Sequence, residues 1–232
     1  MKVYIVIPAM NEETSIGRVI SSLVEKNYNV IVVDDFSTDK TAGIARTCGA
    51  TVLCNIKNLG AWRSTQAGIR YAHKLDADVV ITMDADGQHN DTDLQTMIDA
   101  YAKGADVVIG SCTSRGSAGR HVAWRLFKLL NGLKVNDITS GFRLYNREAI
   151  HVLVSRQATM LEYQCVGILL MLRNLRLKIV EVPVKMHERT DGISRIFYSW
   201  GSVFYYLAYS GLLSVSKAFP VKKYAYLNKI KH

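Results

Sequence analysis

The sequence predicts an α/β fold with a mostly parallel sheet, on three observations. Short apolar, β-branched runs recur along the first half of the chain, amphipathic stretches fill the intervals, and acid-rich polar clusters close several of the runs. Alternation of this kind is the β-α-β rhythm in which neighbouring strands run side by side under covering helices.

The first run, Val3 to Ile7, meets Pro8 and then Asn11-Glu12-Glu13. It is too short for a signal peptide or a membrane span and reads as a buried first strand. Further strands are predicted at Val30 to Val33, Val79 to Met83 and Val107 to Ile109, with helices at Thr14 to Lys26, Thr41 to Arg46, Ala61 to Leu75 and Asp93 to Lys103. Beyond Gly110 the periodicity weakens. Residues 111–119 are rich in Ser and Gly and read as a mobile loop. A helix near Val122 to Leu130, a polar loop from Asp137 to Arg143, a largely apolar segment to Leu175 and a strand around Ile179 to Val184 follow. There is no internal repeat, and 232 residues suit one domain with or without an appended tail.

Lysine and arginine number 29 against 20 acids, a net charge of +9, which favours anionic partners such as phosphates, nucleic acid or acidic lipid. No interleaved basic and aromatic surface outside the tail supports nucleic acid. Cys48, Cys54, Cys112 and Cys165 lie far apart without metal-type spacing, so buried free thiols in a reducing, cytoplasmic setting are expected. From Ile196 to Ser216 there is no charged residue, a length that could cross a bilayer. Phe204, Leu207, Leu212 and Val215 fall near one helical face, which suits a helix at a membrane interface and equally a core or oligomer-contact helix. Lys217, Lys222, Lys223, Lys229 and Lys231 follow with no acid among them, a pattern that favours anionic lipid at about 1 kcal/mol per charge near the surface, or a solvated tail.

In parallel sheets ligands bind beyond the carboxyl ends of the strands, where Asn11-Glu12-Glu13, Asp34-Asp35 and Asp84-Ala85-Asp86 all fall. Each cluster alone reads equally as a helix cap or a solvated turn. Their coincidence is what points to one crevice. Asp84 and Asp86 close an apolar strand and offer hard oxygen ligands suited to Mg2+ or Mn2+, ions that take further ligands from substrate phosphates.

Four stretches in order carry a resemblance: Ile7-Pro8-Ala9-Met10-Asn11-Glu12-Glu13, then Val32-Val33-Asp34-Asp35-Phe36-Ser37-Thr38-Asp39-Lys40-Thr41, then Asn58-Leu59-Gly60, then Asp84-Ala85-Asp86-Gly87-Gln88-His89. They resemble the signatures of family 2 glycosyltransferases with the GT-A fold. Thr139-Ser140-Gly141-Phe142-Arg143, Glu181-Val182-Pro183-Val184 and Arg189-Thr190-Asp191-Gly192-Ile193-Ser194-Arg195 are similar to the branch of dolichyl-phosphate mannose synthase and bacterial polyprenyl-phosphate and surface-polysaccharide enzymes. The resemblance covers roughly residues 1 to 215.

It implies an inverting, metal-dependent transferase domain over residues 1–195, followed at 196–232 by an apolar or amphipathic helix and basic tail, working at the cytoplasmic face of a membrane. Pro8, Ala9, Asn11, Glu12, Asp35 and Ser37 would border the nucleotide of a nucleotide diphosphate sugar donor. Asp84, Asp86 and Gln88 would hold Mn2+ or Mg2+ on its diphosphate, with Asp86 in the catalytic set. Arg189, Ser194 and Arg195 would fold over the diphosphate; Arg195 stands where the family usually has Lys, and its guanidinium can still fork onto phosphate oxygens. Among Arg115, Arg120, Arg125 and Arg143, the last is the best match to acceptor-phosphate arginines.

A general base is not obvious, and Asp137 and Glu162 are the candidates. A saccharide hydroxyl needs such a base, whereas a phosphate acceptor is already an anion, so the reading leans to a polyprenyl phosphate. The alternatives are a saccharide acceptor in surface-polysaccharide synthesis and a non-catalytic nucleotide-sugar-binding partner protein. A homo-oligomer or a membrane-protein contact is compatible with either.

Overall fold

The structure, a computed structural model, describes residues 1–89, 92–112, 135–161 and 166–185. Among these, seven strands form one sheet in the order β3-β2-β1-β4-β6-β5-β7. The strands are β1 Val3–Ala9, β2 Asn29–Asp34, β3 Thr51–Cys54, β4 Val79–Thr82, β5 Val107–Ser111, β6 Arg143–Asn146 and β7 Ile179–Pro183. The helices are α1 Ile16–Glu25, α2 Thr41–Thr47, α3 Ala61–Lys74, α4 Thr92–Ala102, α5 Arg147–Leu153, α6 Arg156–Thr159 and α7 Val166–Asn174.

Strand polarity decides what meets at the functional edge. β3, β2, β1 and β4 are parallel neighbours, so the loops after all four open at one end of the sheet. β6 runs antiparallel between β4 and β5. Its amino end, Arg143, therefore lies at that same end, opposite Thr82 of β4 and Ile109 of β5. The sheet is mostly parallel, as expected, with one reversed strand.

Alternation along the strands sorts the core into two layers. Ile5 and Ile7 face α1 and α4 side chains including Ile16, Ile20, Leu94 and Met97, while Val6 faces α3, α5 and α7 through Ile69, Ile150 and Ile168. Both faces of the central strands are covered, which is why those strands read as continuous apolar runs. In α1 the buried set Ile16, Val19, Ile20, Leu23 has the helical spacing of a single stripe. The helix ends where Asn27 takes a left-handed φ of 60°. Asn146 caps α5 by accepting from the Ala149 amide at 2.8 Å.

The strand and helix predictions coincide with β1, β2, β4, β5, β7 and α1 to α4 to within a few residues at the ends. β3 and β6 are additions. β3 is a four-residue edge strand with half-exposed residues, and β6 opens on a charged residue at the close of a polar stretch, so neither carries a strong pattern. Ser111, expected in a loop, ends β5. The thiols of Cys48, Cys54 and Cys112 are free. They are not all buried as expected: Cys54 is exposed on the sheet edge, and Cys48 and Cys112 are half-buried. The expected 122–130 helix, Cys165 and the whole of 186–232 lie outside the described residues, and among the described residues no helix is long and apolar enough to cross a membrane.

On the α3/α5 face the rings of His73 and His151 meet edge to face, with His73 Nε2 3.1 Å from His151 Nδ1. That contact needs one proton between the two nitrogens and is broken when both rings are charged. Burial first, then the charges of His73 and Arg147, hold the His151 pKa below the ordinary imidazole value of about 6.5, against a smaller pull from Glu148. Its stability contribution is complete above that value and is lost as pH falls through the lowered one. Thermal melts between about pH 7 and about pH 5 should show wild type losing stability more steeply than His151→Gln; equal slopes would show the pair to be irrelevant.

Candidate active site

The loops after β1 and β2 are laced together. Asn11, at a φ of 52°, donates its amide to Ser37 Oγ at 2.9 Å, while its Oδ1 accepts from the Thr38 amide at 2.9 Å. The Glu12 amide donates to Thr41 Oγ1 at 2.8 Å, and the Ser15 hydroxyl donates to Glu12 Oε2 at 3.2 Å. The Glu13 amide donates to Asp39 Oδ2 and the Lys40 amide to Glu13 Oε2. Burial is the largest single influence on the Asp39 carboxyl and pushes its pKa up. Hydrogen bonds from the Thr41 hydroxyl and from the Thr41 and Glu13 amides outweigh it, so the group sits below the usual carboxylate range. Pro8 and Ala9 pair with Val33 and Asp34 at the floor of this edge, and the Ala9 carbonyl accepts the Asp35 amide at 2.8 Å.

Asp35 ties in the third loop. Its buried carboxylate accepts from Asn55 Nδ2 at 2.9 Å, the Leu59 amide at 2.8 Å and the Gly60 amide at 2.9 Å. Three of roughly four lone-pair positions are thus occupied. Its first duty is to shape the Asn58-Leu59-Gly60 loop, with little capacity left for a ribose or base. Beside it Asp34 is also buried; Oδ2 accepts from the Ser37 amide at 3.4 Å, and Oδ1 has no hydrogen-bond partner among the described residues.

The fourth loop leaves β4. Met83 continues the sheet contact through its amide to the Val6 carbonyl at 3.1 Å, and Asp84 then turns outward with a side chain 51% exposed. Ala85 is buried, Asp86 is half-buried, and Asp86 Oδ1 accepts the Gln88 amide at 3.1 Å. Between them Gly87 takes a φ of 72°, a backbone conformation that favours glycine. Gln88 is buried at 4% exposure. Among the described residues no three His, Cys, Asp or Glu side chains form a metal cluster by themselves.

The 137–142 loop arrives from the reversed strand. Thr82 Oγ1 donates to the Gly141 carbonyl at 2.7 Å, Ser140 Oγ donates to the Gly110 carbonyl at 2.6 Å, and Gly141 packs directly on the Asp84 carboxylate. Two of the candidate residues are engaged within this loop. Asp137, a candidate base, is buried and already accepts from the Thr139 amide and hydroxyl and from the Cys112 amide, so it braces its own loop. Arg143, the candidate phosphate ligand, is 0% exposed; its guanidinium donates to the Ser140 carbonyl at 2.8 Å and the Ile138 carbonyl at 2.9 Å, clasping the loop from within. Glu162, Arg189, Ser194, Arg195, Arg115, Arg120 and Arg125 lie outside the described residues.

One participant had no role from sequence. His89 is buried, its ring stacked on Phe142 at 4.6 Å between centroids and 30° between planes, with Nε2 3.5 Å from Asp84 Oδ2. It stood in a recognised motif, but nothing in the linear order places residue 89 against residue 142.

A family model described as Glycosyl transferase family 2 matches residues 4–154. The chain belongs to that family. It is a nucleotide-sugar glycosyltransferase. Relatives include the UDP-N-acetylglucosamine–dolichyl-phosphate N-acetylglucosaminyltransferase of Methanococcus voltae, 30% identical over 79% of this chain and 84% of that protein. The undecaprenyl-phosphate mannosyltransferase of Micrococcus luteus is 31% identical over 84% of this chain and 88% of its own length. Glucosyl-3-phosphoglycerate synthase from Mycobacterium tuberculosis, solved with Mn2+, UDP-glucose and phosphoglyceric acid, superposes with a TM-score of 0.64 at 19% identity, covering 94% of this chain and 79% of that one. The likeness shows the shared GT-A fold of the family.

Asp35→Asn replaces one of the accepting oxygens with a donor, which removes the Asp35 partner either of the Gly60 amide, leaving it Asn58 Oδ1 at 2.9 Å, or of Asn55 Nδ2 and the Leu59 amide. Hydrogen exchange at the Leu59 and Gly60 amides should accelerate in the variant; unchanged protection would show that Asp35 does not hold this loop.

Proposed function

We propose that this transferase moves a sugar, with inversion, from a nucleotide diphosphate donor to a polyprenyl phosphate, and that it needs Mg2+ or Mn2+ to do so. The observation that carries the reading is the pair of carboxylates on the loop after β4, Asp84 half-exposed and Asp86 beside it, at the edge where the carboxyl ends of β1, β2 and β4 open. Two hard oxygen donors, with no third acid beside them among the described residues, suit an ion that shares its coordination with phosphate oxygens and water. Asp84 and Asp86 would hold it; buried Gln88 supports their turn through its amide. When bound, the ion supplies neutralisation of the charge on the departing nucleotide diphosphate without proton transfer.

The chain's own residues then bind and orient. The laced loops carrying Pro8, Ala9, Asn11, Glu12, Ser37 and Asp35 would form the nucleotide side of the crevice, and Arg189, Ser194 and Arg195 would bind the diphosphate. A phosphate oxygen of the acceptor attacks the anomeric carbon as its bond to the donor phosphate breaks, and the nucleotide diphosphate leaves with the bonding electrons.

An anionic acceptor needs no base, and it fits an Asp137 that is buried with both oxygens accepting hydrogen bonds within its own loop. It also fits the relatives named for transfer to dolichyl and undecaprenyl phosphates. A lipid substrate is consistent with a cytoplasmic-face enzyme held by its apolar 196–216 run and the lysines beyond it, from Lys217 to Lys231.

Chelation by EDTA should abolish transfer, and Mn2+ should restore it. Asp84→Asn with Asp86→Asn should reduce kcat/KM by at least about 100-fold, in the range seen when one transition-state charge partner is removed. Full turnover in EDTA would contradict the metal requirement. Offered polyprenyl phosphate and a free saccharide with the same labelled donor, the enzyme should label the lipid; labelling of the saccharide alone would establish the alternative acceptor.

A further inference from the structure

Asp84 is gripped from two sides. On one side Gly141 lies so close that a Cβ there would fall 3.0 Å from Asp84 Oδ1 and 3.3 Å from Oδ2. On the other, His89 Nε2 stands 3.5 Å from Oδ2, within ion-pair range but outside hydrogen-bond alignment. The His89 side chain is 1% exposed, and neither ring nitrogen has a hydrogen-bond partner among the described residues. Each unpaired buried donor or acceptor costs about 1–3 kcal/mol, so an imidazole kept in this state is a specific feature to explain. Stacking on Phe142 fixes its plane, and Phe142 belongs to the same loop as Gly141.

We infer that His89 is a positioning residue for Asp84: its Nε2–H, held 3.5 Å from Oδ2, is the donor that orients the carboxylate facing the cation. The near polar neighbour of Nε2 is Asp84 Oδ2, and the His89 side chain is 1% exposed. The carboxylate is half-exposed, and His89 and Gly141 both border it. Outer-shell partners of this kind typically change metal affinity by about 10–100-fold when removed. The inference rests on the proposed cation role of Asp84.

The test measures Mn2+ affinity directly, by electron paramagnetic resonance of free Mn2+ in the presence of UDP, on full-length wild type, Asp84→Asn, His89→Phe and His89→Gln. His89→Phe keeps a flat ring against Phe142 but has no donor; His89→Gln keeps an N–H near the position of Nε2. The expected result is Mn2+ binding weakened about 10–100-fold in His89→Phe, within about threefold of wild type in His89→Gln, with the melting temperature of ion-free protein undiminished in both. Wild-type affinity in His89→Phe, or equal losses in both His89 variants, would overturn the inference. If His89→Phe does not fold, His89→Leu decides: it too has no donor, so weakened binding supports the inference and unchanged binding overturns it. Mn2+ binding unaffected by Asp84→Asn would instead bring down the cation reading itself, which separates that failure from failure of the His89 role.

Discussion

The contact between Gly141 and the Asp84 carboxylate is the constraint on which the site depends. It exists because β6 runs backwards through an otherwise parallel sheet and delivers its leading loop to the carboxyl end of β4. The Thr82 hydroxyl on the Gly141 carbonyl pins the two strands at the point where Asp84 departs. Arg143 tightens the same loop from inside by holding the carbonyls of Ser140 and Ile138. A charged side chain is expensive to bury, and charge-assisted hydrogen bonds to these carbonyls offset that expense.

The nucleotide side is built on the same logic of loops fixing loops. Asn11, Ser37 and Thr38 close one seam and Asp35 with Asn55, Leu59 and Gly60 closes another, so residues far apart in sequence are held as one rim before any ligand arrives. Preorganised dipoles need no rearrangement at the moment of reaction, which is where such sites obtain most of their effect. The acids in this rim therefore divide into those that shape it, Asp35 and Asp39, and those that face outward, Asp84 and Asp86.

Much of this was legible from the order of residues. Apolar runs ending in acids located β1, β2 and β4, and the Asp84-Ala85-Asp86 triplet located the mouth of the crevice. What the linear pattern could not convey was direction and partnership. The four residues of β6 are too few and too polar to announce a strand, so its reversal, and with it the approach of Gly141, went unseen. Arg143 and Asp137 looked functional because charged residues in a recognised motif suggest ligands; their burial and their carbonyl and amide partners are tertiary facts. His89 was missed for the converse reason, since its meaning lies in Phe142 and Asp84 rather than in its own neighbourhood.

The central claim is that Asp84 and Asp86 together hold a divalent cation against the diphosphate of the donor. A crystal structure of the chain with Mn2+ and UDP, with anomalous scattering locating the metal, tests it most directly. The account predicts the manganese peak bonded to carboxylate oxygens of Asp84 or Asp86 and to the UDP diphosphate. Manganese at any other site, with both carboxylates empty and UDP bound, would contradict it.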